Sequence, residues 1–425
     1  MRNPSWSFPN RTFRIQQKRL SIAENVSIAI GGEQSYGDAN FYHSGKSVRL
    51  NSRDIQFNPD TNILEASGSV TLKEVLNYLL IYSKTLIVVP GTQNATIAGC
   101  VASDIHGKNS FKVGSFSSSV IEIMLNISGV DHWIDRRNEL AWKSTIGGQG
   151  LSGVIKKVRL STAPLKSTRL CSERILTKGI EDNFLQLIEL SKDHEFAVSW
   201  IDSHGMGSDN YGFVEIADSL EKAEKLVPIK NFDLIPRIFP RLKLINRFSI
   251  FMYTLLIRLT TMNSGNKKRY ISRWSFLFPN INFGKWNRLF GKNGFHEIQF
   301  LCDVKDLKIA AEIIQKICRE QDVFLIGTKL LNQVPDGFLS FPGKGLSIAV
   351  NFAADNESQA YVEQIYSELI SQLNSRVYLT KDWVLTPELF KIMYPEYTLL
   401  KGFREMNNLK HLIKSNFSDR VQLDF

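Results

Sequence analysis

The residues best suited to chemistry lie in one run, Pro90-Gly-Thr-Gln-Asn-Ala-Thr-Ile-Ala-Gly-Cys-Val-Ala-Ser-Asp-Ile-His-Gly-Lys-Asn109. It is rich in Gly, Ala, Ser and Thr, carries no bulky side chain from Asn94 to Thr96, and keeps Ile97 as its main apolar anchor. Such a stretch lets a large flat ligand lie against the main chain, then delivers His106, Lys108 and Asn109 together in a loop. A lone histidine is more often structural, but His-Gly-Lys-Asn beside small residues makes a candidate site. Upstream, Ile30-Gly-Gly-Glu-Gln-Ser-Tyr-Gly-Asp38 reads as a strand running into glycines. Gly31 and Gly32 would let backbone N–H groups approach a phosphate, with Ser35 adding a hydroxyl donor; the same residues also suit a plain turn. Downstream, Gly148, Gly150 and Gly153 satisfy G-x-G-x-x-G. The residues that follow, Val154-Ile-Lys-Lys-Val-Arg-Leu160, are β-like rather than helical, so this is not a dinucleotide fingerprint. It is expected to close a loop against a ligand and start a strand. The chain has no G-x-x-x-x-G-K-[ST], H-E-x-x-H or G-x-S-x-G.

These segments need a frame, and the pattern predicts an α+β one. Short strands are expected at Val26–Ile30 and Ser47–Leu50, and alternation at Ile63–Val70 predicts another. Thr71 should cap a helix, with Glu74 closing a capping box. Further strands are expected at Thr85–Val89, Val120–Ile127, His132–Ile134 and Val154–Thr162. Beyond about Leu165, helices are predicted at Asp182–Leu190, Asp306–Glu320, 356–374 and Thr386–Met393. Strands are expected there at Glu297–Asp303, Leu346–Phe352 and Arg376–Leu379.

With 425 residues, 43% hydrophobic and 22% charged, the chain can bury a core and should hold two or three domains, which excludes disordered and disulfide-stapled classes. Four scattered cysteines without a C-x-x-C pair argue against a structural zinc and fit a reducing compartment. The polar, basic start has no apolar stretch, so no signal peptide is expected and a cytoplasmic place is. The net charge of +10 sits in one window: Lys225 to Arg273 holds eleven basic residues and one acid, Asp233. So local a charge argues against a general nucleic-acid binder. Large apolar residues share the window, ending in Phe248-Ser-Ile-Phe-Met-Tyr-Thr-Leu-Leu-Ile257, too short to cross a bilayer. It suits a segment lying on an anionic membrane surface, or a core helix with a solvated basic face.

In order and spacing the three glycine-rich segments resemble the FAD-binding fold of the vanillyl-alcohol-oxidase (PCMH-type) superfamily, and within it the decaprenylphosphoryl-β-D-ribose oxidase family. The resemblance is most specific at Ser35-Tyr-Gly-Asp38, Pro90-Gly-Thr92, Gly99, Asp104-Ile-His-Gly-Lys-Asn109, Gly114-Ser-Phe116 and Gly147-Gly-Gln-Gly-Leu-Ser-Gly153. It continues at Phe283-Gly-Lys-Trp-Asn-Arg288, Gln299-Phe300, Lys329, Tyr378-Leu-Thr-Lys-Asp382 and Met393-Tyr-Pro395. It is strong over the first 165 residues and patchy from about 169 to 375.

The resemblance implies a two-part FAD domain (1–168 and 376–425) around an antiparallel-sheet substrate domain with helices (169–375), the latter carrying the basic apolar insert at about 225–273. FAD would be held by Gly31, Gly32, Gln34, Ser35, Tyr36, Gly37, Asp38, Gly91, Thr92, Thr96, Gly99, Ser103, His106, Gly107, Asn109, Ile155 and Tyr378. Many relatives attach FAD through a His where this chain has Gln34, so the flavin is expected to be non-covalent; Glu33 stands where a Gly is usual. Lys381 matches the family's essential lysine, and its bland alternative is a surface ion pair with Asp382. His106 would position the flavin, Lys108 and Lys329 would bind a substrate phosphate, and Gln299 a sugar hydroxyl. By the resemblance, Leu277 stands for the family's substrate-pocket Tyr, Glu297 for a Gln, Ser347 for an Asn, and Ala349 for the Cys near the flavin. The implied activity is oxidation of a secondary hydroxyl of a polyprenyl-phosphate-linked pentose, the first half of an epimerisation in cell-wall biosynthesis. A short-chain reductase partner would complete it, with the protein peripheral on the inner face of the membrane. A soluble aldonolactone or alditol oxidase and a non-catalytic FAD-binding scaffold are the alternatives.

Overall fold

The computed structural model describes residues 16–17, 28–203, 211–222, 224–230, 234–235, 240–264, 267–279, 284, 286–355 and 357–425. The polar start, the first half of the Val26–Ile30 strand, Asp233, Arg237, Ile238, Phe239, Phe283 and Lys285 lie outside them. The fold is α+β.

The alternating and β-branched runs of the N-terminal part build a six-stranded antiparallel sheet. Its order is Ile55–Asn58, Ile63–Ser67, Val154–Pro164, Val120–Ile127, Val130–Ile134, with Lys84–Leu86 pairing the far end of Val154–Pro164. Leu64, Ala66, Val158 and Leu160 turn inward at alternate positions, as a period of two requires. They meet Leu72, Val75, Leu76 and Leu79, one face of the Leu72–Leu79 helix. That helix starts on the predicted capping box: Thr71 N–H donates to Glu74 Oε2 at 2.8 Å and Glu74 N–H to Thr71 Oγ1 at 3.3 Å. Such a cap is worth about 1 kcal/mol. Beside this sheet, Gln16–Gln17, Lys46–Val48 and Ile28–Ala29 form a small parallel one.

The second sheet has seven antiparallel strands in the order Arg269–Ser272, Arg169–Lys178, Tyr211–Ser219, Phe196–Ile201, Val323–Asn332, Lys344–Ala353, Phe295–Cys302. Helices Ile180–Ser191, Leu307–Glu320 and Ser358–Leu373 contribute to the core on one of its faces. Strand alternation divides the labour. Ile298, Phe300, Ile348, Val350 and Ile326 enter that core, while Glu297, Gln299, Ser347, Ala349, Asn351, Gly327 and Lys329 line a cavity.

Arg376–Leu379 departs from the expected strand. It makes a single bridge, Phe300 to Val377, with Leu301 N–H bonded to Arg376 O and Tyr378 N–H to Gln299 O. The chain then turns, and Lys381 N–H closes on Tyr378 O at 2.9 Å. Helices Pro387–Met393, Tyr397–Met406 and Asn416–Arg420 follow. They return the end of the chain to the first glycine loop, where Arg420 binds both Asp38 and Asp382.

Candidate functional site

One cavity of about 910 Å³ takes its walls from both sheets, from the 28–40 and 89–106 segments and from the turn after Tyr378. Its floor is the small-residue stretch. Thr96 caps a short helix, Ile97–Ala102, whose Ile97, Cys100 and Val101 are buried while Ala98, Gly99 and Ala102 face the cavity. The 28–32 segment packs against the same stretch so closely that a methyl on Gly32 would overlap the Asn94 carbonyl. A methyl on Gly91 or Gly150, both in the cavity wall, would meet no atom within 4 Å.

Of the residues the sequence nominates, Gly31, Gly32, Gln34, Ser35, Tyr36, Gly91, Thr92, Thr96, Gly99, Ser103, His106, Lys108, Ile155, Gln299, Lys329, Tyr378 and Lys381 line this cavity. Gly37, Asp38, Gly107 and Asn109 do not; they brace its wall. Gly37 lies against the Asp382 backbone, where a Cβ would overlap the carbonyl oxygen. Asp38 faces Arg420 at 2.8 Å. Gly107 N–H bonds to Ser110 Oγ, and Asn109 Nδ2 holds the loop to Ile87 O at 2.9 Å. The third glycine run does close a loop before a strand: Gly150 has φ +75°, and Val154 starts Val154–Pro164. Arg174, Glu215, Trp200 and Phe213 also line the cavity although sequence reasoning missed them. Their signal was cross-strand: Arg174 opposes Glu215, with Nε–Oε1 at 3.1 Å, and Trp200 stacks on its register partner Phe213.

The wall opposite the floor is cationic. Lys381 Nζ lies 3.2 Å from Glu297 Oε1 and 3.3 Å from the centre of the Tyr36 ring. The alternative ion pair with Asp382 does not form among the described residues; Asp382 pairs with Arg420 at 2.9 Å. Lys329 stands opposite Ser347 in the sheet register, next to Gln299 and Ala349. Lys108 hydrogen-bonds the Phe276 carbonyl and sits 4.0 Å over its ring. Burial pushes all three amines down, Lys108 to about 7 and Lys329 to about 8, the latter helped by Lys381. Glu297 works the other way on Lys381 and favours its charge. The substituted positions Leu277, Glu297, Ser347 and Ala349 all line this side.

His106 is neutral. Burial, then Lys329 and Lys381, hold it well below the usual imidazole range. Gln299 Nε2 donates to His106 Nε2 at 2.8 Å and to Ser347 Oγ at 2.8 Å, so the ring proton is on Nδ1. His106 Nδ1 has no partner among the described residues, nor do Ser199 Oγ, Trp200 Nε1 and Asn351 Oδ1. Each such orphan costs about 1–3 kcal/mol. All four belong to residues that line the cavity.

Glu33 is neutralised by Arg49 at 3.0 Å. Its φ of +55° explains why a glycine suits that position, since a side chain there costs roughly 1–2 kcal/mol. Gln34 is spent on the protein: Nε2 donates to Gly32 O, and Oε1 accepts from Thr92 Oγ1.

No protein-family model matches the chain. Decaprenylphosphoryl-beta-D-ribose oxidase of Mycolicibacterium smegmatis is 27% identical over 423 aligned positions, covering 93% of this chain and 89% of that protein. The chain resembles that oxidase over nearly its whole length. An uncharacterised protein of Streptomyces coelicolor, from the mprA 5′ region, is 24% identical over 362 positions, 79% of this chain and 95% of that one.

The cavity itself fits a large, flat, phosphate-bearing group. Its volume is at the upper end of ligand pockets, roughly 300–1,000 Å³. Part of its lining is a trough of glycine and alanine, and part carries three lysines.

Proposed function

We propose that the protein is an FAD-dependent oxidoreductase that oxidises a secondary hydroxyl of a phosphate-bearing sugar, a polyprenyl-phosphate-linked pentose. The observation that carries this reading is the juxtaposition of the small-residue trough and the lysine wall across one cavity. The flavin would rest on the 29–36 and 91–103 segments, with Ile155 and Tyr378 completing its pocket. Tyr378 Oη is tied to Ser103 O at 3.0 Å, which fixes that wall. With Gln34 in place of a histidine, the flavin is held without a covalent bond. When bound, FAD would supply the acceptor for the hydride that leaves the alcohol carbon, and the hydroxyl proton passes to water.

The chain's own residues do the rest. Lys381 holds a positive charge where negative charge develops on the hydroxyl oxygen. Gln299, already bridging His106 and Ser347, orients a sugar hydroxyl with its remaining capacity. Lys108 and Lys329 attract the phosphate. The product is a ketone; the reductase partner implied by the resemblance would return it to the epimeric alcohol. The division into two flavin-binding parts around a substrate domain belongs to the same proposal.

Anaerobic mixing tests this. A polyprenyl-phosphate-linked pentose should bleach the bound flavin, and free alditols should not. Bleaching by alditols alone favours the soluble oxidase; no bleaching by any sugar favours a scaffold, to which the substitutions at Leu277, Glu297 and Ser347 lend themselves. The KM for the phosphorylated sugar should rise as pH climbs through about 7 to about 8, where Lys108 and Lys329 lose their protons. A flat KM over that range contradicts the phosphate assignment.

A further inference from the structure

The basic apolar window forms an 18-residue helix, Arg247–Ser264, and that helix is inside out. The positions turned toward the protein are Ile250, Thr254, Ile257 and Thr261, two of the four being threonine; Ile250, Thr254 and Thr261 are at most 2% exposed. The positions turned away are Phe248 (74% exposed), Met252 (47%), Leu256 (60%) and Leu259 (51%). Their spacing of four, four and three puts them on one face. Phe251 and Met262 widen the stripe, and Leu242 and Leu244, just upstream, are exposed as well. A surface helix in water normally shows the opposite pattern.

Charge identifies what covers this face. Lys243 just before the helix and Lys267 and Lys268 just after it are exposed, in a window whose only acid in sequence is Asp233. A partner protein would need an apolar groove ringed by acids, whereas an anionic bilayer supplies both features over any area. The helix is about 27 Å long by its rise per residue. No helix of the described residues is long and apolar enough to cross a membrane. We infer that Arg247–Ser264 lies flat in the headgroup layer of an anionic membrane, with Phe248, Met252, Leu256 and Leu259 in the acyl boundary and the lysines on the phosphates.

The same helix serves the cavity, because Ser249, Tyr253 and Ile257 belong to its wall. Docking therefore brings the cavity to the depth at which a lipid carries its phosphate. This last step rests on the proposed substrate; the docking does not.

Vesicle sedimentation of the full chain, without substrate, tests the docking. Wild-type protein should pellet with mixed phosphatidylglycerol–phosphatidylcholine vesicles, less so at high salt, and weakly with phosphatidylcholine alone. The triple variant Phe248→Ser, Leu256→Ser, Leu259→Ser should lose about a hundredfold or more in partitioning while keeping its circular dichroism. Unchanged partitioning of the triple variant overturns the inference. So does wild-type protein that ignores both vesicles, including the case in which it runs as a dimer that the triple variant splits. The milder Phe248→Trp should show a tryptophan emission that shifts to the blue and is quenched by brominated lipid; an indole that stays in water contradicts the docking. A protein that docks yet oxidises no sugar leaves this inference standing and removes only the proposed substrate.

Discussion

Lys381→Ala should leave the protein yellow and slow flavin bleaching by substrate about a hundredfold to a thousandfold, the usual effect of losing one preorganised charge. The reason is geometric. Lys381 is the ammonium group seated against Glu297 and over the Tyr36 ring, at the turn where the chain leaves the edge of the seven-stranded sheet. Burial lowers its pKa, and Glu297 offsets part of that. Activity should therefore fall as pH rises through the Lys381 pKa. Glu297→Gln removes the restoring carboxylate, so the same fall should come at lower pH while the colour is retained. Stopped-flow reduction across a pH series reads both effects. Normal bleaching by Lys381→Ala removes the lysine from the chemistry, and an unmoved profile for Glu297→Gln removes the pairing.

Arg420→Ala should cost about 3–5 kcal/mol of stability, the typical penalty for stripping one partner from a buried ion pair. Arg420 is the clasp between the end of the chain and the first glycine loop. It donates to Asp38 at 2.8 and 2.9 Å, to Asp382 at 2.9 Å and to the Leu385 carbonyl. Burial already pushes the Asp38 carboxyl up despite the guanidinium. Without Arg420 it rises further, so the folded variant binds more protons than the unfolded chain over the interval between the two pKa values. Stability then falls with rising pH across that interval, and the deficit should be greatest near neutrality and shrink in acid. Urea unfolding at two pH values measures it. A loss under 1 kcal/mol at neutral pH contradicts the clasp.

The frame of the N-terminal part was legible because its strands are half buried and β-branched and its first helix begins on a capping box. The seven-stranded sheet was harder to read. Its cavity face carries Arg174, Glu215, Lys329 and Glu297, so strands such as Arg169–Lys178 look too charged to be strands at all. Charged residues lining the cavity interrupt the apolar alternation there. Arg376–Leu379 failed in the other direction: a β-like run was drawn into a turn because Tyr378 is needed at Ser103 and Lys381 at Glu297. The Ile97–Ala102 helix had only a weak signal, Thr96 as its N-cap, since small residues show no apolar period. Among the site residues, types and spacing found His106, Lys108 and the glycines. They could not separate the cavity liners from the braces Gly37, Asp38, Gly107 and Asn109, because that distinction depends on Asp382, Arg420 and Ile87, which are distant in sequence or belong to another segment.

The proposed function depends on the trough between Gly31 and Ser103 holding FAD without a covalent bond. Equilibrium dialysis of the full chain against excess FAD, followed by visible absorbance and acid precipitation, tests it most directly. The expected result is a yellow protein with one flavin per chain that releases all of it, as free FAD, into the acid supernatant. Colour that stays with the pellet contradicts the reading of Gln34, and a protein that leaves dialysis colourless contradicts the trough itself.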